Sequence, residues 1–304
     1  MKRRSFIKSL GAASSLAMAS SLFSSRTWAV QGSKKGSLQF VFYTDIHAYD
    51  RPGISNYLAH AARSINQHKP DLVLAGGDLV SEGFSSSKDA MKPAWDYYMQ
   101  MHRAINSDIY PAIGNHDLVG AANIESSIDP RDEFRSHLKL EKTYYSFNAS
   151  GYHFIVLDSL EVTNDELEYR GYVNQEQLQW LKEDLSGLAP ETPVILLTHM
   201  PLLTSFFQAT VGGQAAAPAN RVLVNNREVL RCFSNHNLLL VLQGHLHINE
   251  MLVWNSTRFI TGGAICGGWW NGEWHGTFEG YGVITLNENL ISWNYYDLGE
   301  STAT

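Results

Sequence analysis

Cysteine is scarce in this sequence: Cys232 and Cys266 are the only two among 304 residues. A disulfide scaffold and a Cys-x-x-Cys metal or redox motif are thereby excluded, which leaves either one bridge or two separate thiols. Charged residues are also few, 17 % of the chain with a net charge of −7. No Lys/Arg-rich stripe accompanies that acidic balance, so long nucleic acid held on a basic face is not expected. Internal repeats are missing, which argues against a solenoid or propeller. What remains is a chain of ordinary apolar content, 44 %, long enough to bury a sizeable core in one large domain or two small ones.

The amino terminus is unlike the rest. Met1-Lys2-Arg3-Arg4-Ser5-Phe6-Ile7-Lys8 precedes a weakly apolar Ala/Ser-rich run from Ser9 to Phe23 and then Thr27-Trp28-Ala29. That is the plan of a signal peptide, and the paired arginines resemble a twin-arginine signal, with the export machinery as the implied partner. A cut after Ala29 would start the mature chain at Val30, giving residues 1–29 as signal and 30–304 as one domain in the periplasm or otherwise exported. Ala17-Met18-Ala19 is a second small-x-small site, and an uncleaved segment would act as a membrane anchor, although the run is short and serine-rich for a bilayer span. Removing Lys2, Arg3, Arg4, Lys8 and Arg26, with no acid among them, takes the net charge from −7 to −12. Any phosphate group would then have to be attracted by local cations.

Along the mature chain, short apolar runs alternate with segments of helical spacing. Leu38 to Thr44, Asp71 to Ala75 and Ile109 to Ile113 read as strands, separated by helices over Ile54 to His68 and Lys88 to Asn106. Farther on, Tyr144 to Phe147 and His153 to Asp158 pair around Asn148-Ala149-Ser150-Gly151, and Gln175 to Leu185 reads as a helix. Val194 to Thr198 and Leu238 to Leu242 are strands, followed by a strand-rich tail. This order predicts an α/β fold, a four-layer α-β-β-α sandwich of two mixed sheets flanked by helices. Thr204 to Arg221 is the one long irregular stretch, of the kind that forms lids or mobile loops.

The strands that end in a polar residue end in Asp, His or Asn. The endings are Asp45-Ile46-His47, Gly77-Asp78, Gly114-Asn115-His116-Asp117, Thr198-His199 and Gly244-His245-Leu246-His247. A single such histidine is more often an ordinary packed residue than a ligand, but five endings in register converge on the place where α/β folds keep their chemistry. Carboxylate, imidazole and amide donors together suit borderline divalent metals such as Mn, Fe, Zn or Co rather than Ca or Mg.

In that order and spacing the motifs resemble the signature of the calcineurin-like metallophosphoesterases. The resemblance implies that Asp45, His47 and His247 bind one divalent metal, that Asn115, His199 and His245 bind a second, and that Asp78 bridges them. It also implies in-line attack on a phosphate ester by a hydroxide held between the metals. His116 would assist the leaving group and Asp117 would orient it; the plainer reading of Asp117 is a turn or helix-cap residue. In some relatives a Gly-Trp-Trp loop trails the last metal motif. Trp269, Trp270 and His275 are accordingly candidate substrate-binding residues, although an aromatic run can equally be core.

His60, His68, His102, His137, His153 and His236 are assigned no role, and Asp158 reads as a turn former or a supporting residue. Ser81 stands where purple acid phosphatases carry the tyrosine that holds ferric iron, which speaks against that branch. The expected function is an exported phosphoesterase acting on a small phosphate ester, phosphodiester favoured. The alternatives are a phosphomonoesterase and a non-catalytic metal-binding recognition protein.

Overall fold

The computed structural model describes residues 29–30, 37–123, 128–163, 165–287 and 290–299. The twin-arginine segment, residues 1–28, lies outside the described residues. The chain opens as β1 (Ala29–Val30), β2 (Ser37–Tyr43), α1 (Ile54–Gln67), β3 (Leu72–Ala75), α2 (Lys88–Ala104) and β4 (Ile109–Pro111). A 3-10 turn at Asn115–Asp117 and α3 (Asp132–Leu138) lead to β5 (Tyr145–Ala149), β6 (Tyr152–Val156), β7 (Leu160–Val162), β8 (Tyr169–Gly171), α4 (Gln175–Ser186) and β9 (Pro193–Leu197). Then come α5 (Phe206–Thr210), α6 (Asn226–Cys232) and β10 (Asn237–Gln243). Two hairpins close the order, β11 (Glu250–Trp254) with β12 (Thr257–Thr261) and β13 (Gly280–Asn287) with β14 (Leu290–Asp297).

Two large mixed sheets result, beside an antiparallel ribbon of β7 and β8. The first runs β14-β13-β2-β3-β4 and the second β1-β5-β6-β9-β10-β12-β11. In the first, β2, β3 and β4 are parallel neighbours; in the second, β6, β9, β10 and β12 are. These strands are near-continuous apolar runs because both of their faces are covered. Leu38, Phe40, Phe42, Leu72 and Leu74 meet Phe154, Val156, Ile195, Leu197, Leu240 and Leu242 between the sheets. Phe40 stands edge-on to Phe154 across that interface at 5.9 Å.

The residues between them in sequence face the helices, as the two-residue period of a strand requires. Val41, Tyr43 and Val73 pack with Leu58 and Ala61 of α1 and with Trp95 and Tyr98 of α2. On the second sheet Ile155, Val194, Leu196 and Val241 belong to the apolar cluster that includes Leu178 and Leu181 of α4 and Val229 of α6. The expected four layers are therefore present.

The capping chemistry agrees with the element ends. The Ser87 Oγ accepts the Ala90 N–H at the start of α2 (3.3 Å) and the Asn174 side chain accepts the Gln177 N–H at the start of α4 (2.9 Å), as N-caps do. The helices α3, α5 and α6 were not expected; at five to seven residues they are too short for a 3.6-residue period to declare itself. The helix α5 lies inside the stretch read as irregular. Among the described residues no helix is long and apolar enough to cross a membrane.

Candidate metal centre

Parallel register brings the carboxyl ends of β2, β3 and β4 side by side, Tyr43 opposite Ala75 and Ala75 opposite Pro111. It does the same for β9 and β10 in the other sheet, with Leu197 opposite Leu242. The loops that leave these ends are stitched together. Asp45 N–H donates to Gly77 O (3.0 Å), His47 N–H to Asp78 O (2.9 Å) and Gly244 N–H to His199 O (2.9 Å). His245 N–H donates to Asp45 Oδ2 at 3.0 Å and joins the two sheets.

Close approach explains the glycines of the motifs. A Cβ on Gly114 would lie 2.2 Å from the Asp78 nitrogen, and one on Gly244 would lie 2.2 Å from Thr44 Oγ1. Asp45, His47, Asp78, His245 and His247 adopt positive φ, between 47° and 72°. Such backbone is costly for non-glycine residues and persists where the surroundings impose it.

All seven candidate ligands, Asp45, His47, Asp78, Asn115, His199, His245 and His247, are buried and meet in one place. Asp78 Oδ2 lies 3.6 Å from His47 Nε2 and 3.2 Å from His199 Nε2, between two groups of donors. On one side, His247 Nε2 is 3.1 Å from His47 Nε2 and 3.3 Å from Asp45 Oδ1. On the other, His199 Nε2 is 3.1 Å from Asn115 Oδ1 and 3.2 Å from His245 Nδ1.

Three of the imidazoles are turned by backbone carbonyls. His199 Nδ1 faces Gly76 O (2.8 Å), His245 Nε2 faces Asn220 O (3.0 Å) and His247 Nδ1 faces Gly267 O (2.7 Å). A carbonyl can only accept, so each ring carries its proton outward and presents a lone pair inward. Inward lone pairs crowded against carboxylates and one another repel unless cations lie among them. Asp45 Oδ1 is moreover buried without a hydrogen-bond partner among the described residues. The donor set fits divalent transition metals.

The protein's own field is strong here. Burial opposes ionisation of Asp45, and His247 overrides it to hold the carboxyl down at about 2. Burial pulls His199 down, but the Asp78 carboxylate outweighs it and the ring stands at about 9, so without a metal among the donors a proton would take the inward nitrogen. His245, buried beside His199, falls to about 3.

His116 differs from the seven in being half-buried. It belongs to a group with His47 and Asp78 whose ligand atoms all lie within 4.8 Å of one another. Its Nδ1 accepts the Glu82 N–H at 3.2 Å, which leaves the ring proton on Nε2.

Asp117 does not do what was expected of it. Oδ1 accepts the N–H groups of Leu79 (2.8 Å) and Val80 (3.1 Å), and Oδ2 accepts that of Gly114 (2.8 Å). It therefore ties together the loops after β3 and β4 and touches His116 only through the chain. The turn-forming reading is the one the geometry supports. Burial, and then the charge of Asp78, raise its carboxyl to about 8.

The aromatic loop divides. The ring of Trp269 lies 4.1 Å from His47, 5.1 Å from His116 and 5.1 Å from His247, and the residue is 41 % exposed, so it walls the mouth of the site. Trp270 points elsewhere: Nε1 donates to His47 O at 3.0 Å and the ring meets Tyr57, a supporting position. His275 packs against Phe206 of α5 at 5.0 Å, away from the ligands it was grouped with by sequence.

The family model described as calcineurin-like phosphoesterase matches residues 38–249, most of the chain and all seven candidate ligands. The chain belongs to the calcineurin-like phosphoesterase family. It is 24 % identical to purple acid phosphatase 23 of Arabidopsis thaliana over 66 % of its length and 46 % of that protein's. It is 24 % identical to a cAMP/cGMP dual specificity phosphodiesterase of Mycobacterium tuberculosis over 67 % of its length and 57 % of the other's. The chain thus spans about half the length of the curated relatives it matches. Among solved structures, a dimetal phosphatase from Danio rerio superposes with a TM-score of 0.62 at 17 % identity, covering 87 % of this chain and 98 % of that one. At that identity the likeness is one of fold.

Sequence reasoning missed several supports of this calcineurin-like site. Asn220, Gly76 and Gly267 act through carbonyl oxygens, which carry no sequence signal. Cys266 is a buried free thiol with Sγ 3.8 Å from His247 Nδ1, and Cys232 is also unpaired, so the bridge left open by the sequence is absent. Asp158 is a supporting residue outside the site: it takes Arg131 Nε at 2.5 Å and the Thr143 hydroxyl at 2.7 Å.

Proposed function

We propose that this chain is an exported two-metal phosphoesterase that favours phosphodiesters. The reading rests on three histidines whose outward nitrogens are held by carbonyls, with the half-buried His116 beside them. Asp45, His47 and His247 would hold one divalent cation and Asn115, His199 and His245 the other, with Asp78 shared. Mn, Fe, Zn and Co are the metals such donors suit. Cations held there would supply Lewis acidity, activating water for attack and offsetting charge on the phosphoryl oxygens.

The chain's own residues supply the rest. His116, with its proton on Nε2, is accessible and donates that proton to the departing oxygen. Trp269 excludes water from the His47 side. Asp117 fixes the loops that carry Asp78 and Asn115. Favouring diesters is supported by the similarity to the cAMP/cGMP phosphodiesterase, of which the chain spans a larger share than of purple acid phosphatase 23, and by Ser81 in the place of the iron-binding tyrosine. Similarity to purple acid phosphatases supports phosphomonoesters as the second reading. A non-catalytic metal-binding protein would leave the placement of His116 without a purpose. Export through the twin-arginine machinery to the periplasm rests on Arg3-Arg4 and the run that follows.

The test is side-by-side hydrolysis of bis(p-nitrophenyl) phosphate and p-nitrophenyl phosphate by chain loaded with Mn, Fe, Zn or Co. Turnover should be chelator-sensitive and faster on the diester. His116→Ala should lower kcat by about 10²–10⁴-fold while metal content stays unchanged. Absence of turnover with every metal would remove the enzymatic reading, and faster turnover of the monoester would reverse the preference.

A further inference from the structure

The His245 side of the site carries two polar groups that the motifs do not assign. The 204–221 excursion returns to the site in a fixed position. Gly171 N–H donates to Ala219 O (2.9 Å), Leu223 N–H to Pro201 O (2.8 Å) and Val224 N–H to Gly171 O (2.8 Å). Between these anchors the Asn220 carbonyl holds His245 Nε2 at 3.0 Å. The next residue, Arg221, is thereby placed one peptide from the group that orients a candidate ligand. Its side chain is exposed and makes no ion pair among the described residues.

Tyr169, at the start of β8, stands beside it. Its ring meets His245 edge-on at 6.4 Å and Phe84, in the loop after Asp78, at 5.9 Å. Its hydroxyl has no hydrogen-bond partner among the described residues. A phenol hydroxyl carries its proton at neutral pH and is a donor there. Tyr169 meets the His245 ring and Arg221 follows the residue whose carbonyl holds that ring, which puts the three groups on one side of the site. In a chain of net charge −7, a hydroxyl donor and a guanidinium on one side of a phosphate-ester site can form an anion-holding pair.

We infer that Tyr169 and Arg221 grip the phosphoryl oxygen that faces the His245 side of the site and so position the ester for attack. The inference rests on the phosphoesterase reading and extends it with two substrate-positioning residues on elements outside the metal motifs. They lie across the site from Trp269, which packs on His47 and His247. The phosphoryl group would then sit between an aromatic wall on one side and a donor wall on the other.

The experiment compares wild type, Tyr169→Phe, Arg221→Gln and Arg221→Lys in the manganese-loaded full chain. It reads KM and kcat on both chromogenic esters, the affinity for inorganic phosphate by calorimetry, and metal content. Tyr169→Phe keeps the ring that packs on Phe84 and His245 and removes only the hydroxyl. Loss of a hydrogen bond to a charged group should weaken phosphate binding and raise KM by about tenfold or more. Both metals should be retained, and Arg221→Lys should restore part of the loss. Turnover by wild type with unchanged KM and phosphate affinity in Tyr169→Phe and Arg221→Gln overturns this inference and leaves the phosphoesterase intact. Neither turnover nor metal-dependent phosphate binding by wild type removes both.

Discussion

A carboxyl group that accepts three backbone N–H groups organises more of this site than its place in the Gly-Asn-His-Asp motif suggests. Asp117 satisfies Leu79, Val80 and Gly114, and all of them are in the loops that carry Asp78 and Asn115. Asp117→Ala should therefore act on stability first. Leaving buried donors unsatisfied costs about 1–3 kcal/mol each, so a loss of roughly 2–4 kcal/mol is expected after partial solvation, read as a lower urea midpoint together with weaker metal retention. A variant with wild-type stability and only kcat reduced would return Asp117 to the role of orienting His116. The residue types of the site were legible in the sequence because metal-binding chemistry restricts them to a few. The role of Asp117 was not, because a motif gives neighbours along the chain and its hydrogen bonds reach 37 and 38 residues back.

At the scale of elements, the site exists because five loops leave parallel strands at the same end and fit tightly. Gly114 has Asp78 N and Asp78 Oδ1 each within 2.2 Å of where its Cβ would be. Gly114→Ala must displace the candidate bridging carboxylate or the backbone beside it. Metal affinity should fall by at least tenfold while the far-UV spectrum is retained, since the misfit lies in a loop rather than in a strand; wild-type affinity would show that the loops can part at little cost. The strands and long helices were readable from two- and 3.6-residue periods. The short helices α3, α5 and α6 were not, and the segment at 204–221 read only as irregular. Its contribution through Asn220 arises from where β8 and the His199 loop pin it, a matter of tertiary contact.

For the whole molecule, the proposed cut after Ala29 falls within β1, whose Ala29 and Val30 pair with Asn148 and Ala149 at the outer edge of the seven-stranded sheet. An edge of two residues contributes little to a core of this size, so cleavage there should leave the fold unaffected. Exported protein should have an amino terminus at Val30 by mass spectrometry, and replacing Arg3 and Arg4 by lysine should hold the chain in the cytoplasm. Continued export of the lysine variant would count against the twin-arginine signal. Sequence by itself determined the layered α/β architecture, the net negative charge and the seven candidate ligands, because burial patterns and metal-donor chemistry are written residue by residue. Only the tertiary structure decided which nitrogen of each orienting histidine faces inward, that Trp269 and not Trp270 or His275 walls the site, and that Cys232 and Cys266 stay apart. Those outcomes depend on backbone carbonyls and on distances between strand ends that meet only when the two sheets pack.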